Sequence, residues 1–136
     1  MKKIAFVLPW CGRLPSYFQL WADSCAANPT IDFLLFTSER MPGKLPANVK
    51  QISMDFAHLK EFQSHFDFPL ALETPYKFCD LKPAYGEVFA AYLQEYDFWG
   101  HCDMDLVWGD IRSFVTEDLL EKYDRIYTRG HCCLYR

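Results

Sequence analysis

The chain has 136 residues, 51% of them hydrophobic and 24% charged, with a net charge of −4 at pH 7. That length fits one domain with a real core, and the composition is that of a globular protein. With a negative balance nothing suggests a polyanion-binding surface, so nucleic acid is not an expected partner, while the 18% aromatic content suits a deep core or flat surfaces for rings and sugars.

The opening, MKKIAFVLPWC, imitates a short secretory signal, with two lysines ahead of an apolar run. The run ends at Trp10 and CGRLPS comes next instead of small cleavage-site residues, so Lys3–Trp10 reads as a parallel strand buried on both faces. No apolar stretch approaches the ~20 residues that span a bilayer. The expected location is cytoplasmic, with peripheral membrane contact left open.

Pro15 suits the first turn of a helix, and Phe18, Trp21, Ala22 and Cys25 recur on one face of it. Asn28-Pro29 ends that helix, Ile31–Thr37 is a second buried strand, and the segment SERMPGKLPAN is a loop. Val49–Met54 is a short third strand. Asp55 caps a helix carrying Phe56, Leu59, Phe62 and Phe66.

FDFPLALETPYKFCDLK has no convincing period and is expected to be irregular. Pro83 opens a helix with Tyr85, Val88, Phe89 and Tyr92 on one face, and Tyr96–Asp103 returns as a strand. Thr116–Tyr123 reads as a short helix and Arg125–Thr128 as the start of a further strand. Strands alternating with helices in this way predict an α/β fold on a mostly parallel sheet, whose ligands sit beyond the carboxyl ends of the strands.

The six cysteines do not resemble a disulfide framework. Cys11, Cys25 and Cys79 stand among apolar residues and read as small core hydrophobes. Gly-His-Cys occurs at 100–102 and again at 130–132, but adjacent His and Cys on a strand face opposite ways, so packing outweighs zinc.

The stretch that calls for chemistry is FWGHCDMDLVWGD, residues 98–110. If residues 101–105 stay extended, His101, Asp103 and Asp105 share one face. Two neighbouring carboxylates repel unless a positive charge serves both, and Mg²⁺ or Mn²⁺ does so with oxygen ligands and substrate phosphates. A solvated turn, each acid capping an amide, is the plainer alternative.

Residues 98–110 resemble the metal-binding D-x-D segment of glycosyltransferases with the GT-A fold, and Gly109–Phe114 (GDIRSF) looks like the stretch after that motif in several such families. KIAFVLPW with LPSYFQLW is similar to their nucleotide-binding start, and Lys77–Phe89 (KFCDLKPAYGEVF) to the segment whose polar residues face the nucleotide. From Lys3 to Arg136 the chain resembles a bacterial group of glycosyltransferase-like proteins found among cell-surface polysaccharide genes.

That resemblance implies a Rossmann-like, nucleotide-binding part of a GT-A fold. It implies a UDP- or GDP-sugar donor, a saccharide acceptor and a Mn²⁺ or Mg²⁺ cofactor held by Asp103 and Asp105, with Asp103 also toward the ribose. Leu8, Pro9 and Trp10 would lie near the base, with Thr37 a further candidate. Tyr17 would stack or hydrogen-bond, and Asp80 and Lys82 would meet ribose and phosphate. For Tyr17, Asp80 and Lys82, packing, capping and solvated charge are equally good accounts.

His101 is expected to hydrogen-bond within the sheet, with contact to the diphosphate or metal as the alternative, and Asp110 and Arg112 to position the turn after the motif. No catalytic base is nominated. His131–Arg136 reads as a strand still under way, so the expectation is one truncated domain, inactive or weakly nucleotide-binding by itself. Two alternatives stand beside this: a haloacid-dehalogenase-type phosphatase with Asp103 as nucleophile, and a non-catalytic carbohydrate- or protein-binding module. Against the phosphatase, Leu106-Val107-Trp108 succeeds the acids where that class has small residues and a Thr.

Overall fold

An apolar run of strand length is satisfied when sheet neighbours take its backbone groups and helices cover both its faces. β1 (Ile4–Pro9) takes that place in a computed structural model that describes residues 1–136. It pairs in parallel with β2 (Ile31–Phe36) on one side and with β4 (Phe98–Cys102) on the other, and β2 pairs in parallel with β3 (Val49–Ile52). β6 (Cys132–Tyr135) runs antiparallel to β4, and β5 (Arg125–Arg129) closes the edge antiparallel to β6. The six strands lie in the order β3-β2-β1-β4-β6-β5. The chain is therefore an α/β protein on a mostly parallel sheet flanked by helices.

Alternation along the strands divides the core. Ile4, Phe6, Leu8, Phe33 and Leu35 face α1 (Phe18–Ala26) and the region leading into α5 (Glu117–Lys122), where Trp21, Ile111, Val115 and Leu120 meet them. Ala5, Val7, Leu34 and Phe36 face the other way. There they pack against Leu59 of α2 (Phe56–Glu61), Phe78, and Tyr85, Val88 and Phe89 of the helical segment before β4.

Most expected elements are present with tighter bounds. α1 begins at Phe18, and Pro15 lies in the preceding turn, whose carbonyl accepts from Phe18 N. Asp55 caps α2 by accepting from His58 N at 3.0 Å. The expected helix continues past Glu61 only as a 3₁₀ turn, Phe62–His65.

The single helix expected from Pro83 is replaced by three pieces. Pro75–Ala84 is a 3₁₀ helix with Pro83 inside it, so part of the segment expected to be irregular is ordered. α3 (Tyr85–Val88) and α4 (Ala90–Leu93) come after it, separated by Phe89 at φ −107° and ψ 15°. Gly86 weakens a helix here, but a Cβ at this position would stand 2.5–2.7 Å from the Trp99 indole. The close approach of α3 to β4 requires it. β4 ends at Cys102, one residue short of the expected strand, and residues 131–136 contain a strand paired on both sides.

Of the cysteines expected in the core, Cys25 is buried, Cys11 half-buried and Cys79 exposed; Cys102, Cys132 and Cys133 are buried, and all six are free thiols. No helix is long and apolar enough to cross a membrane.

Candidate functional site

The chain leaves β1 for β2 and β3 on one side and returns as β4 on the other, which makes the carboxyl ends of β1 and β4 the topological switch point of the sheet. A cleft of about 390 Å³ opens there. Leu8, Pro9 and Trp10 form its wall from β1, and Tyr17 closes it ahead of α1. Asp103, Met104 and Asp105 form the wall beyond β4, with Lys82 opposite them on the 3₁₀ helix.

Seven of the residues named from the sequence thus meet: Leu8, Pro9, Trp10, Tyr17, Lys82, Asp103 and Asp105. Thr37 and Asp80 do not join them. Thr37 is fully buried at the end of β2, where its hydroxyl accepts from Glu39 N at 3.2 Å. Asp80 points outward and faces Lys77 at 3.7 Å. A residue at a strand end is close to the switch point only if its strand is, and β2 is one strand too far.

The acid pair reaches the cleft by a different route from the one expected. Residues 101–105 are not one extended strand: the ladder stops at Cys102 and a turn begins at Met104-Asp105. Met104 is driven into the core, and that burial turns the chain so that Asp105 emerges into solvent. Asp103 stays half-buried, its N–H donating to the His131 carbonyl at 3.0 Å. Asp103 Oδ1 lies 2.5 Å from Lys82 Nζ, which also donates to the Gly130 carbonyl at 3.0 Å.

His101 neither bonds within the sheet through its side chain nor lines the cleft. Its Nδ1 has no hydrogen-bond partner, and the ring packs between Tyr85 and Tyr135. Burial, reinforced by the Lys82 ammonium, pushes its pKa down to about 4.

Asp110 and Arg112 do position the turn after the motif. Asp110 Oδ1 accepts from Arg112 N at 3.1 Å, and Arg112 Nη2 donates to the Lys2 and Thr30 carbonyls at 2.7 and 3.2 Å.

Tyr76, Cys79 and Tyr85 also line the cleft. Tyr85 is almost wholly buried, donates to the Phe78 carbonyl at 3.3 Å, and is raised by that burial above the usual phenol range. None of the three stands out individually in the sequence. Tyr76 and Cys79 lie in a segment without the 3.6-residue period, Tyr85 reads only as the packing face of a helix, and the signal for Cys79 and Tyr85 is their inclusion in KFCDLKPAYGEVF.

A family model described as "Family of unknown function (DUF6625)" matches residues 6–136. The chain belongs to this family. The matched range contains every residue of the cleft, from Val7 to Asp105, and both strands that pair beyond β4. No curated protein and no solved structure matches the chain.

The family member offers hard oxygen donors at the cleft mouth. Asp103 and Asp105 are carboxylates on one short turn, and no group of three or more His, Cys, Asp or Glu is gathered there or elsewhere. A donor set of two carboxylates fits Mg²⁺ or Mn²⁺ sharing its coordination with phosphate and water, and does not fit a closed zinc site.

Proposed function

We propose that this chain is the nucleotide-binding part of a glycosyltransferase that takes a nucleotide-diphospho-sugar donor with Mn²⁺ or Mg²⁺, transfers to a saccharide acceptor, and serves cell-surface polysaccharide synthesis in the cytoplasm. One observation carries the reading. The apolar and aromatic end of β1, a lysine and two carboxylates converge on one cleft at the switch point of a parallel sheet. Such a cleft has the components of a nucleotide diphosphate site: a flat wall for a base, a cation for phosphate, and oxygen donors for a metal.

In this reading Trp10 and Tyr17 supply the flat faces, and Leu8 and Pro9 the apolar floor. Asp103 and Asp105 hold the cation, which when bound supplies Lewis acidity to the diphosphate leaving group. Lys82 stands where it reaches phosphate oxygens. Met104, between the acids in the chain, fixes the turn that presents them, because its side chain is buried.

Calorimetric titration with UDP and GDP, in Mn²⁺ and in EDTA, tests the proposal on the wild-type chain and on Asp103→Asn and Asp105→Asn. Nucleotide binding that needs the cation and disappears in both variants is the expected result. A folded chain that binds neither nucleotide in any condition overturns it.

A further inference from the structure

We infer, resting on the nucleotide reading above, that Lys82 is a built-in competitor of the divalent cation for Asp103, and that it passes from the carboxylate to the diphosphate when cation and nucleotide arrive together. The geometry behind this is an ion pair placed on the residue a metal would use. Lys82 Nζ is 2.5 Å from Asp103 Oδ1, with the lysine side chain 18% exposed and the carboxylate 37%. The same ammonium donates to the Gly130 carbonyl, so it is anchored at two points rather than swinging free. Asp105, two residues on, is exposed and has neither a hydrogen bond nor an ion pair. One acid of the pair is thus already neutralised and the other is open.

Charge governs the exchange. An ammonium and a divalent ion cannot both sit within ~4 Å of one another at Asp103 without strong repulsion, so a cation arriving alone must break the ion pair and leave Lys82 with one partner fewer. A diphosphate arriving with the cation offers that ammonium new oxygens close by, forming charge-assisted bonds of the same kind. The cost of displacement then falls only when both ligands are present. Cation and nucleotide are therefore coupled through Lys82, each strengthening the other's affinity by the same factor.

The test is Mn²⁺ affinity in the absence of nucleotide, read from the free-Mn²⁺ resonance in electron paramagnetic resonance, for wild type, Lys82→Met and Lys82→Gln. Both variants are expected to bind Mn²⁺ alone at least about threefold more tightly, and UDP or GDP with Mn²⁺ about tenfold more weakly, because the competitor and the phosphate partner are the same group. A gain of cation affinity is not something a damaged fold produces, and Lys82→Gln keeps a donor for the Gly130 carbonyl. Unchanged or weaker Mn²⁺ binding in both variants, with nucleotide binding still lost in Asp103→Asn, overturns the competition and leaves the nucleotide site standing. Nucleotide binding unaffected by Asp103→Asn and Asp105→Asn overturns the site reading and the competition with it.

Discussion

Asn28, at the end of α1, clasps the loop beyond the acid pair: its Nδ2 donates to the Gly109 carbonyl at 2.9 Å and its Oδ1 accepts from Ile111 N at 2.9 Å. The side chain is buried, and the bond from Ile111 N is made out of water, while the one to the exposed Gly109 is part-buried. An element 81 residues earlier in the chain thereby fixes where residues 106–111 leave the cleft.

Asn28→Ala is expected to cost about 1–3 kcal/mol, because it leaves the buried Ile111 N–H without its acceptor. Asn28→Asp should be little better, since it puts an oxygen against the Gly109 carbonyl. Urea denaturation checks both, and a cost below ~1 kcal/mol would mean that water replaces the clasp.

The two acids should separate by stability. Asp105 is exposed and unpartnered, so Asp105→Asn should leave the unfolding free energy within ~0.5 kcal/mol of wild type. Asp103→Asn weakens a partly buried ion pair and should show a measurable loss. Thermal melts of both variants without ligand decide it.

Acid should destabilise the ligand-free chain through His101. Its folded pKa, about 4, lies below the ordinary 6.5, so the unfolded state binds the proton first. The neutral, buried ring contributes stability that is whole above pH 6.5 and is lost as pH falls toward 4. Lys82 and Arg125 push in the same direction and Asp103 opposes them. His101→Phe should flatten the slope of stability against pH across that window; an unchanged slope would place its origin in other groups.

Gly100 lies on β4, where an added Cβ would meet the Cys133 carbonyl, and Leu134 Cδ2 at 2.7 Å. The first of these is backbone of the paired strand β6 and cannot rotate away. Gly100→Ala should cost about 3 kcal/mol. Gly86→Ala meets a side chain instead, and should push Trp99 off the Tyr135 ring it stacks on at 4.5 Å, a change visible in tryptophan fluorescence.

Thiol labelling should report on the cleft. Cys79 is exposed and lines it, Cys11 is half-buried, and Cys25, Cys102, Cys132 and Cys133 are buried. Maleimide is expected to modify Cys79 first, Cys11 more slowly, and the other four only on denaturation. Protection of Cys79 by UDP or GDP with Mn²⁺ is expected if the nucleotide occupies this cleft.

Elements with a local signal are legible in the chain before it folds. The apolar runs at Ile4–Pro9 and Ile31–Phe36 demand burial on both faces and so a parallel sheet, and Asp55 announces a helix start that it caps. The two acids close behind an apolar strand are legible too, and the structure places both at the cleft, Asp103 paired with Lys82 and Asp105 in solvent. Membership of the cleft, by contrast, is set by tertiary packing. Lys82 meets Asp103 across 21 positions of chain because β4 docks beside β1 and a 3₁₀ helix, invisible to helical periodicity, crosses its end. Thr37 and Asp80 look equivalent to it in the sequence and lie elsewhere. The turn at Met104, the burial of His101 and the clasp of Asn28 on Gly109 likewise rest on packing between distant segments. Spacing along the chain does not encode such contacts; they arise from strand order and from which side chains fill the core.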